Sequence, residues 1–466
     1  MTDSRLTTWD ADAFARVHQA ALAVLADPGV DVRHEGALKL LADAGAKVDG
    51  LRVRFPASLV DSALASAPRS FSLTSRGGHE ALLMQDGQVY FGTGGDCLYT
   101  RDFETGERRL SRLSDVRSQA VLAEHLPHID FVMSMALPKD VPETDIDVRV
   151  VAEMLRATRK PLLICATCPP ETLAVLQRMA AICGDPGSLI IYAMPSPPLA
   201  LSNGAVGRLI ACAELGIPVV FASGCAPGFT APCSLAGMVV NSTADVLSGL
   251  VIHQLASPGA PFVFGGQHIS ISMSTSTNLY CAPETMALQQ AGTELARFYG
   301  LPTFTFGGCS DSKLLDGQWA AEAAMTLALA ALSGSTLVHD VGYLESSFLA
   351  THESVVFADE LAGYVRAYRR GVPLHDLDAA VEEIRAVGPS GDHLGRAYTR
   401  THHRGLWKPT VIDQWMHDHW AAEGEKTLVD RLHEKAATLR ERPPAFTLAQ
   451  DVEAGLQTLV AEGASA

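Results

Sequence analysis

A chain of 466 residues, 47% hydrophobic and 19% charged, has ample material for a large core and does not have the composition of a disordered chain. Its net charge of −16 counts against nucleic acid as a partner, because phosphate binding needs clustered Lys and Arg. Nine scattered cysteines read as reduced thiols, residues 1–12 lack the basic and apolar stretches of a signal peptide, and no apolar run approaches the ~20 residues of a membrane span, so a cytoplasmic protein away from the membrane is expected.

Helical apolar spacing marks residues 12–26 and 34–46. A short strand is expected at 51–55 and a helix at 56–65, where Pro56 suits a first turn. Between 70 and 110 short extended runs alternate with turn signals: Gly77-Gly78, Asp86-Gly87 and Thr105-Gly106. They read as hairpins of a small β-layer.

From residue 112 helices and strands alternate. Helix 112–126 leads to a strand at 129–137, 144–158 to 161–166, 170–184 to 189–194, and 203–215 to 218–223. The long apolar helix 234–257 leads to 261–266, 283–299 to 302–307, and 316–333 to 336–341. Several strands begin at or just after Pro and are almost wholly apolar, as parallel strands buried on both faces are. Helices are expected again at 352–370 and 376–387, an eighth strand near 388–396, and helices over 409–462. The economical architecture is an α/β (β/α)8 TIM barrel: an N-terminal α+β cap at 1–111, the barrel at 112–405 and a C-terminal helical extension at 406–466.

In such barrels the chemistry sits where strands end. Gln267 and His268 follow the fifth clear strand; Asp311 and Lys313 follow the sixth; His339, Tyr343, Glu345 and Phe348 belong to the seventh. Tyr192 ends the third, and Tyr99 comes from the cap hairpins. Each residue has an ordinary structural use, and together they form an aromatic, acidic rim. A quaternary ammonium ion has no N–H to donate, so only aromatic faces and negative charge hold it. The lone Cys165-Ala166-Thr167-Cys168 lacks the second ligand pair of a structural zinc site, and His393, His402 and His403 read as hydrogen-bonding residues; no metal is expected.

Stretches 30–48 (VDVRHEGALKLLADAGAKV), 89–109 (VYFGTGGDCLYTRDFETGERR), 265–267, 307–318 (GGCSDSKLLDGQ) and 387–404 (VGPSGDHLGRAYTRTHHR) carry a resemblance that runs along most of the chain. The sequence resembles the trimethylamine methyltransferase family, in the branch without pyrrolysine that includes glycine betaine methyltransferases. The resemblance implies a TIM barrel that demethylates a quaternary amine and passes the methyl group to Co(I) of a separate corrinoid protein. Cobalamin would thus be carried by the partner and not bound permanently. On this reading Asp311, His339 and Glu345 are the catalytic candidates; Tyr99, Tyr192, Gln267, His268, Lys313, Tyr343 and Phe348 would bind substrate. Where the family often has Asn-Pro after the third strand, Arg within the sixth and His near the C-terminal motif, this chain has Met194-Pro195, Phe304 and Tyr398. An Arg there would grip a substrate carboxylate; its loss counts against glycine betaine. A homo-oligomer is expected from helix 234–257 and the long tail. The alternatives are a barrel lyase or hydrolase using a metal or His–Asp acid–base chemistry, and a non-catalytic onium binder.

Overall fold

The computed structural model describes residues 5–77, 80–266, 268–442 and 445–464. Seven parallel strands form its central sheet: β1 (Tyr90–Thr93), β2 (Leu162–Cys165), β3 (Leu189–Ala193), β4 (Val219–Ser223), β5 (Phe262–Gly266), β6 (Thr303–Phe306) and β7 (Leu337–Val341). Their order is β1-β7-β6-β5-β4-β3-β2. Strands β2 to β7 lie where continuous apolar runs predict them. Helices cover one face and strand side chains fill the other, so polar residues such as Thr303 and Thr305 are few and hydrogen-bonded. The architecture is α/β, of barrel type.

Segment 129–137, expected as a full strand, makes only single parallel bridges. Gly92 faces Phe131 on one side and Val132 faces Leu162 on the other. It therefore lies between the two edge strands, β1 and β2. Thr93 Oγ1 donates to Met133 O at 2.7 Å, Met133 N donates back to Thr93 Oγ1 at 2.9 Å, and Leu163 N donates to Val132 O at 3.0 Å.

The eighth strand expected near 388–396 is absent: those residues are turns and open coil, mostly exposed. The place beside β7 is held by β1, from the region expected to be cap hairpins. Strand β1 is four residues long and sits among turn signals, which hid it. Its ladder to β7 pairs Tyr90 with Leu337, so the N-terminal region contributes to the barrel sheet itself.

A hairpin, Phe71–Leu73 with Leu82–Met84, plugs the floor of the barrel. Leu73, Leu82 and Met84 cluster there with Leu163, Ile190, Val220, Val263 and Leu337. Each fully buried side chain of this size contributes ~1.5–3 kcal/mol. Local signals set the helix ends. Asp316 caps helix Gly317–Ser333 by accepting from Trp319 N at 3.0 Å, and Gly334, at φ +83°, closes it in the left-handed conformation.

Helix Leu235–Ala256 is long and apolar enough to cross a membrane, but 78% of its most apolar stretch is buried within the chain. Helices Ala11–Ala26, Ala57–Ser66 and Asn203–Leu215 cover it. Its apolarity therefore serves the barrel's outer layer and gives no support to the expected oligomer. The C-terminal helices dock back. Leu428–Arg440 lies on His352–Arg369, and Gln450–Gly463 packs beside Thr172–Ile182, with Glu453 gripping Arg156 at 2.8 Å.

Candidate active site

The strand ends carry more buried charge than a packed core requires. β7 holds a bulge: its register against β1 shifts between Val338 and Val341, and Asp340 sits at φ +63°. A regular strand sends neighbouring side chains to opposite faces; the bulge brings His339 and Asp340 together, Nδ1 to Oδ1 at 2.7 Å. The His339 ring stacks on Phe304 of β6 at 4.0 Å and 4°. Tyr192 of β3 lies 5.2 Å from Phe304 and 6.3 Å from His339. Phe306 meets His339 edge-on at 6.3 Å, and Tyr280 stands 5.0 Å from Phe306.

A second carboxylate stands opposite. Asp96 follows β1 through Gly94-Gly95 and also has left-handed backbone, φ +66°. It lies deep in the protein yet keeps some surface open towards a small cavity that it shares with Ser134, Asp147, Cys165 and Thr167. Burial pushes its carboxyl up to about 7, reinforced by the charges of Asp147 and Asp340 and opposed by a hydrogen bond with Cys165. Among the described residues no cation acts on it.

Gly94 is required by this close approach: a Cβ there would stand 2.5 Å from the Tyr343 ring and 2.8 Å from Asp340 Cα. Tyr343 is thereby held, almost wholly buried, against both strand ends. The hydroxyls of Tyr192, Tyr280 and Tyr343 are pushed up by burial first and by Asp340 among their other neighbours, so they remain protonated. Burial likewise raises the Cys97 and Cys165 thiols. Three tyrosines, Asp340 and a stacked His–Phe pair thus gather at the strand ends, with Asp96 beside Asp340 and Tyr343 and left-handed backbone under both acids. Such backbone costs of order 1 kcal/mol and collects at functional sites.

With this geometry in place, likeness to known proteins becomes informative. The family model described as "Trimethylamine methyltransferase (MTTB)" matches residues 2–465. The chain belongs to the trimethylamine methyltransferase family. It is 30% identical over 464 residues to a glycine betaine methyltransferase of Desulfitobacterium hafniense, covering 97% of this chain and 96% of that one. It is 29% identical to a trimethylamine methyltransferase of Methanosarcina barkeri, over 98% of this chain and 94% of that one. Among solved structures it resembles the Methanosarcina barkeri monomethylamine methyltransferase. That likeness has a TM-score of 0.52 at 12% identity, over 94% and 90% of the two chains, and speaks for the fold alone.

As a member of this methyltransferase family, the chain places its sequence-predicted residues unevenly. His339, Tyr192 and Tyr343 meet in the mouth. Gln267 lies outside the described residues. His268 does not face the mouth: its ring lies against Gly266 and Gly292, Nε2 bonds Ser242 Oγ, and burial lowers it to about 4, so it is a neutral wall histidine. Asp311 is a loop fastener. It accepts from Tyr280 N at 3.2 Å, Cys281 N at 3.0 Å and Ser346 Oγ at 2.8 Å. Exposed Lys313 donates to the Asp311 carbonyl at 2.9 Å.

Glu345 already has a cation. Arg108 donates to it at 2.7 and 2.8 Å while lying 3.3 Å over the Tyr99 ring. Tyr99 and Glu345 are thus occupied by each other's arginine and not by the mouth. Phe348 is exposed on the same flap, formed by Tyr343–Leu344, Leu349–Ala350, Tyr99–Arg101 and Arg108–Leu110. Cys281, Asp311 and Glu322 bring donor atoms within 4.8 Å of one another; they are the one such trio among the described residues. Both carboxylates already accept backbone N–H groups.

Asp96, Tyr280 and Asp340 are the residues that sequence reasoning passed over. Asp340 stood inside the His339–Glu345 rim, and Asp96 directly after a Gly-Gly turn; both are marked by place, but only the left-handed backbone and the bulge aim them inward.

Proposed function

We propose that this chain removes a methyl group from a small quaternary ammonium cation and delivers it to the Co(I) of a separate corrinoid protein. One observation carries the reading: Asp340 acts on Tyr192, Tyr280 and Tyr343, and Asp96 stands near Asp340 and Tyr343 with no cation among the described residues acting on it. Aromatic faces with unbalanced negative charge suit an ion that has no N–H. The corrinoid, held by the partner, supplies the nucleophile. The residues here bind and orient the onium, exclude water and leave the departing amine its neutral form without a proton transfer. Tyr192, Tyr280 and Tyr343 would line the ion, Asp340 would balance it, and His339 would fix Asp340.

Five successive strand-end loops each expose one large apolar side chain: Met194, Phe229, Met273, Leu314 and Phe348. An apolar rim of this kind suits a docked partner.

The charge of the mouth favours substrates without a carboxylate. Phe304, stacked on His339, fills the place where the resemblance looks for an arginine. A panel of tetramethylammonium, choline and glycine betaine with a reduced corrinoid protein tests this by the methyl–cobalt absorbance. Methyl–cobalt from the two cations is the expected result. Failure of every quaternary amine overturns the function; turnover of glycine betaine alone overturns only the charge preference.

Binding should also depend on pH. A cation prefers ionised Asp96, so affinity rises as pH climbs through 7. Calorimetry with tetramethylammonium should give a dissociation constant about tenfold tighter at pH 8 than at pH 6. Asp147, Asp340 and Cys165 face the same carboxylate. A flat profile would remove Asp96 from the site.

A further inference from the structure

Glu345, Ser346 and Ser347 have left-handed backbone in succession, at φ +52°, +54° and +75°. L-residues visit that region singly, and glycine or asparagine is the usual occupant. The three lie between the flap strands Tyr343–Leu344 and Leu349–Ala350, where Phe348 N donates to Glu345 O at 3.1 Å and closes the turn. Strained backbone of this kind persists only where its surroundings hold it. Arg108 grips Glu345, Glu345 N donates to Ser312 O at 2.8 Å, and Ser346 N donates to Ser310 O at 3.3 Å.

The two serine hydroxyls share one destination. Ser346 is buried, and its Oγ donates to Asp311 Oδ1 at 2.8 Å. The same oxygen accepts from Tyr280 N at 3.2 Å, and Asp311 Oδ2 accepts from Cys281 N at 3.0 Å. Glu322 steadies Asp311 by accepting from its backbone N–H at 2.9 Å. Ser347 donates to the Tyr280 hydroxyl. Neighbouring residues of one turn thus hold Tyr280 at its backbone and at the far end of its side chain, with its ring 5.0 Å from Phe306. Glycine at 346 and 347 would meet the demand of the backbone without steric cost; only the hydroxyls reach Tyr280.

We propose that the turn 345–347 positions Tyr280 in the mouth, Ser346 acting through Asp311 and Ser347 through the Tyr280 hydroxyl. Both serines are positioning residues, a role that rests on the onium reading of the mouth. A cation held by aromatic faces needs each face at a set distance and tilt. Tyr192 and Tyr343 belong to strands, which fix their rings; Tyr280 comes from the loop that follows strand Thr277–Leu279 and needs an outside support.

The full chain labelled with 3-fluorotyrosine tests the geometry without a ligand. It has nine tyrosines, and the fluorine line missing from Tyr280→Phe is that of Tyr280. Ser346→Gly and Ser347→Gly keep the left-handed backbone, so their circular dichroism should match the wild type. Each should shift or broaden the Tyr280 line and leave the line of Tyr90, at the barrel floor, in place. Calorimetry with tetramethylammonium reads the consequence. Each glycine variant should bind about fivefold more weakly, the effect of one lost hydrogen bond. In a Tyr280→Phe background Ser347→Gly should cause no further loss. An unmoved Tyr280 line overturns the inference, and so does a Ser347→Gly loss that persists in full without the Tyr280 hydroxyl. A wild type without affinity for any quaternary ammonium ion overturns the reading of the mouth, and the fluorine line tells the two failures apart.

Discussion

Asp340→Asn lowers kcat/KM for a quaternary ammonium substrate by at least about a hundredfold, roughly 2.7 kcal/mol of lost transition-state and substrate binding. Asparagine keeps the size of the side chain, accepts the left-handed backbone at φ +63°, and leaves an oxygen for His339 Nδ1. The fold should therefore persist while the negative charge disappears. A desolvated cation that loses its counter-charge forfeits several kcal/mol, of which the three tyrosine faces recover a part. Single-turnover methyl transfer to a reduced corrinoid protein measures the change, with circular dichroism as the control. Asp340→Asn with wild-type kcat/KM removes Asp340 from the chemistry.

Gly94→Ala is the second large effect, and it acts through shape. The added methyl would stand 2.5 Å from the Tyr343 ring and 2.8 Å from the Asp340 backbone. Tyr343 is packed too tightly to swing away, and the Asp340 Cα belongs to β7. Overpacking of this kind costs about 2–3 kcal/mol, a fall of several degrees in Tm. Because the clash falls on Tyr343 and Asp340, turnover should drop with stability, in contrast to Asp340→Asn. Calorimetry beside the methyl-transfer assay separates the two; Gly94→Ala with an unchanged Tm denies the close approach of the first and last strand ends.

Burial on both faces made β2 to β7 legible: a strand with no wet side has few polar positions to blur it, and those of β6 and β7 are buried. The same rule failed for β1, because four residues followed by Gly94-Gly95 look like the arm of a hairpin. Without β1, the remaining strand was sought downstream, at 388–396, where the chain is in fact open coil. The candidate site was legible by address. His339, Tyr192 and Tyr343 were named because strand ends are where a barrel does chemistry, and the structure gathers them at one end of the sheet. Asp311 and Glu345 have the same address but are tied to backbone amides and to Arg108, and no sequence pattern distinguishes a tied carboxylate from a loose one. Asp96 and Asp340 depend on left-handed φ angles that aspartate tolerates but does not announce.

The β1–β7 ladder has a consequence for biosynthesis. On the β7 side Tyr90 finds its partner in Leu337, so a nascent chain leaving the ribosome can pair β1 early with segment 129–137 but carries its other edge open until most of the protein has been made. Contacts so distant in sequence form slowly, and a waiting strand edge invites wrong partners. The two carboxylates of the mouth stand at the ends of these same two strands. The candidate mouth is thus assembled only when β7 joins β1, and a ligand bound there would report that the seam has closed.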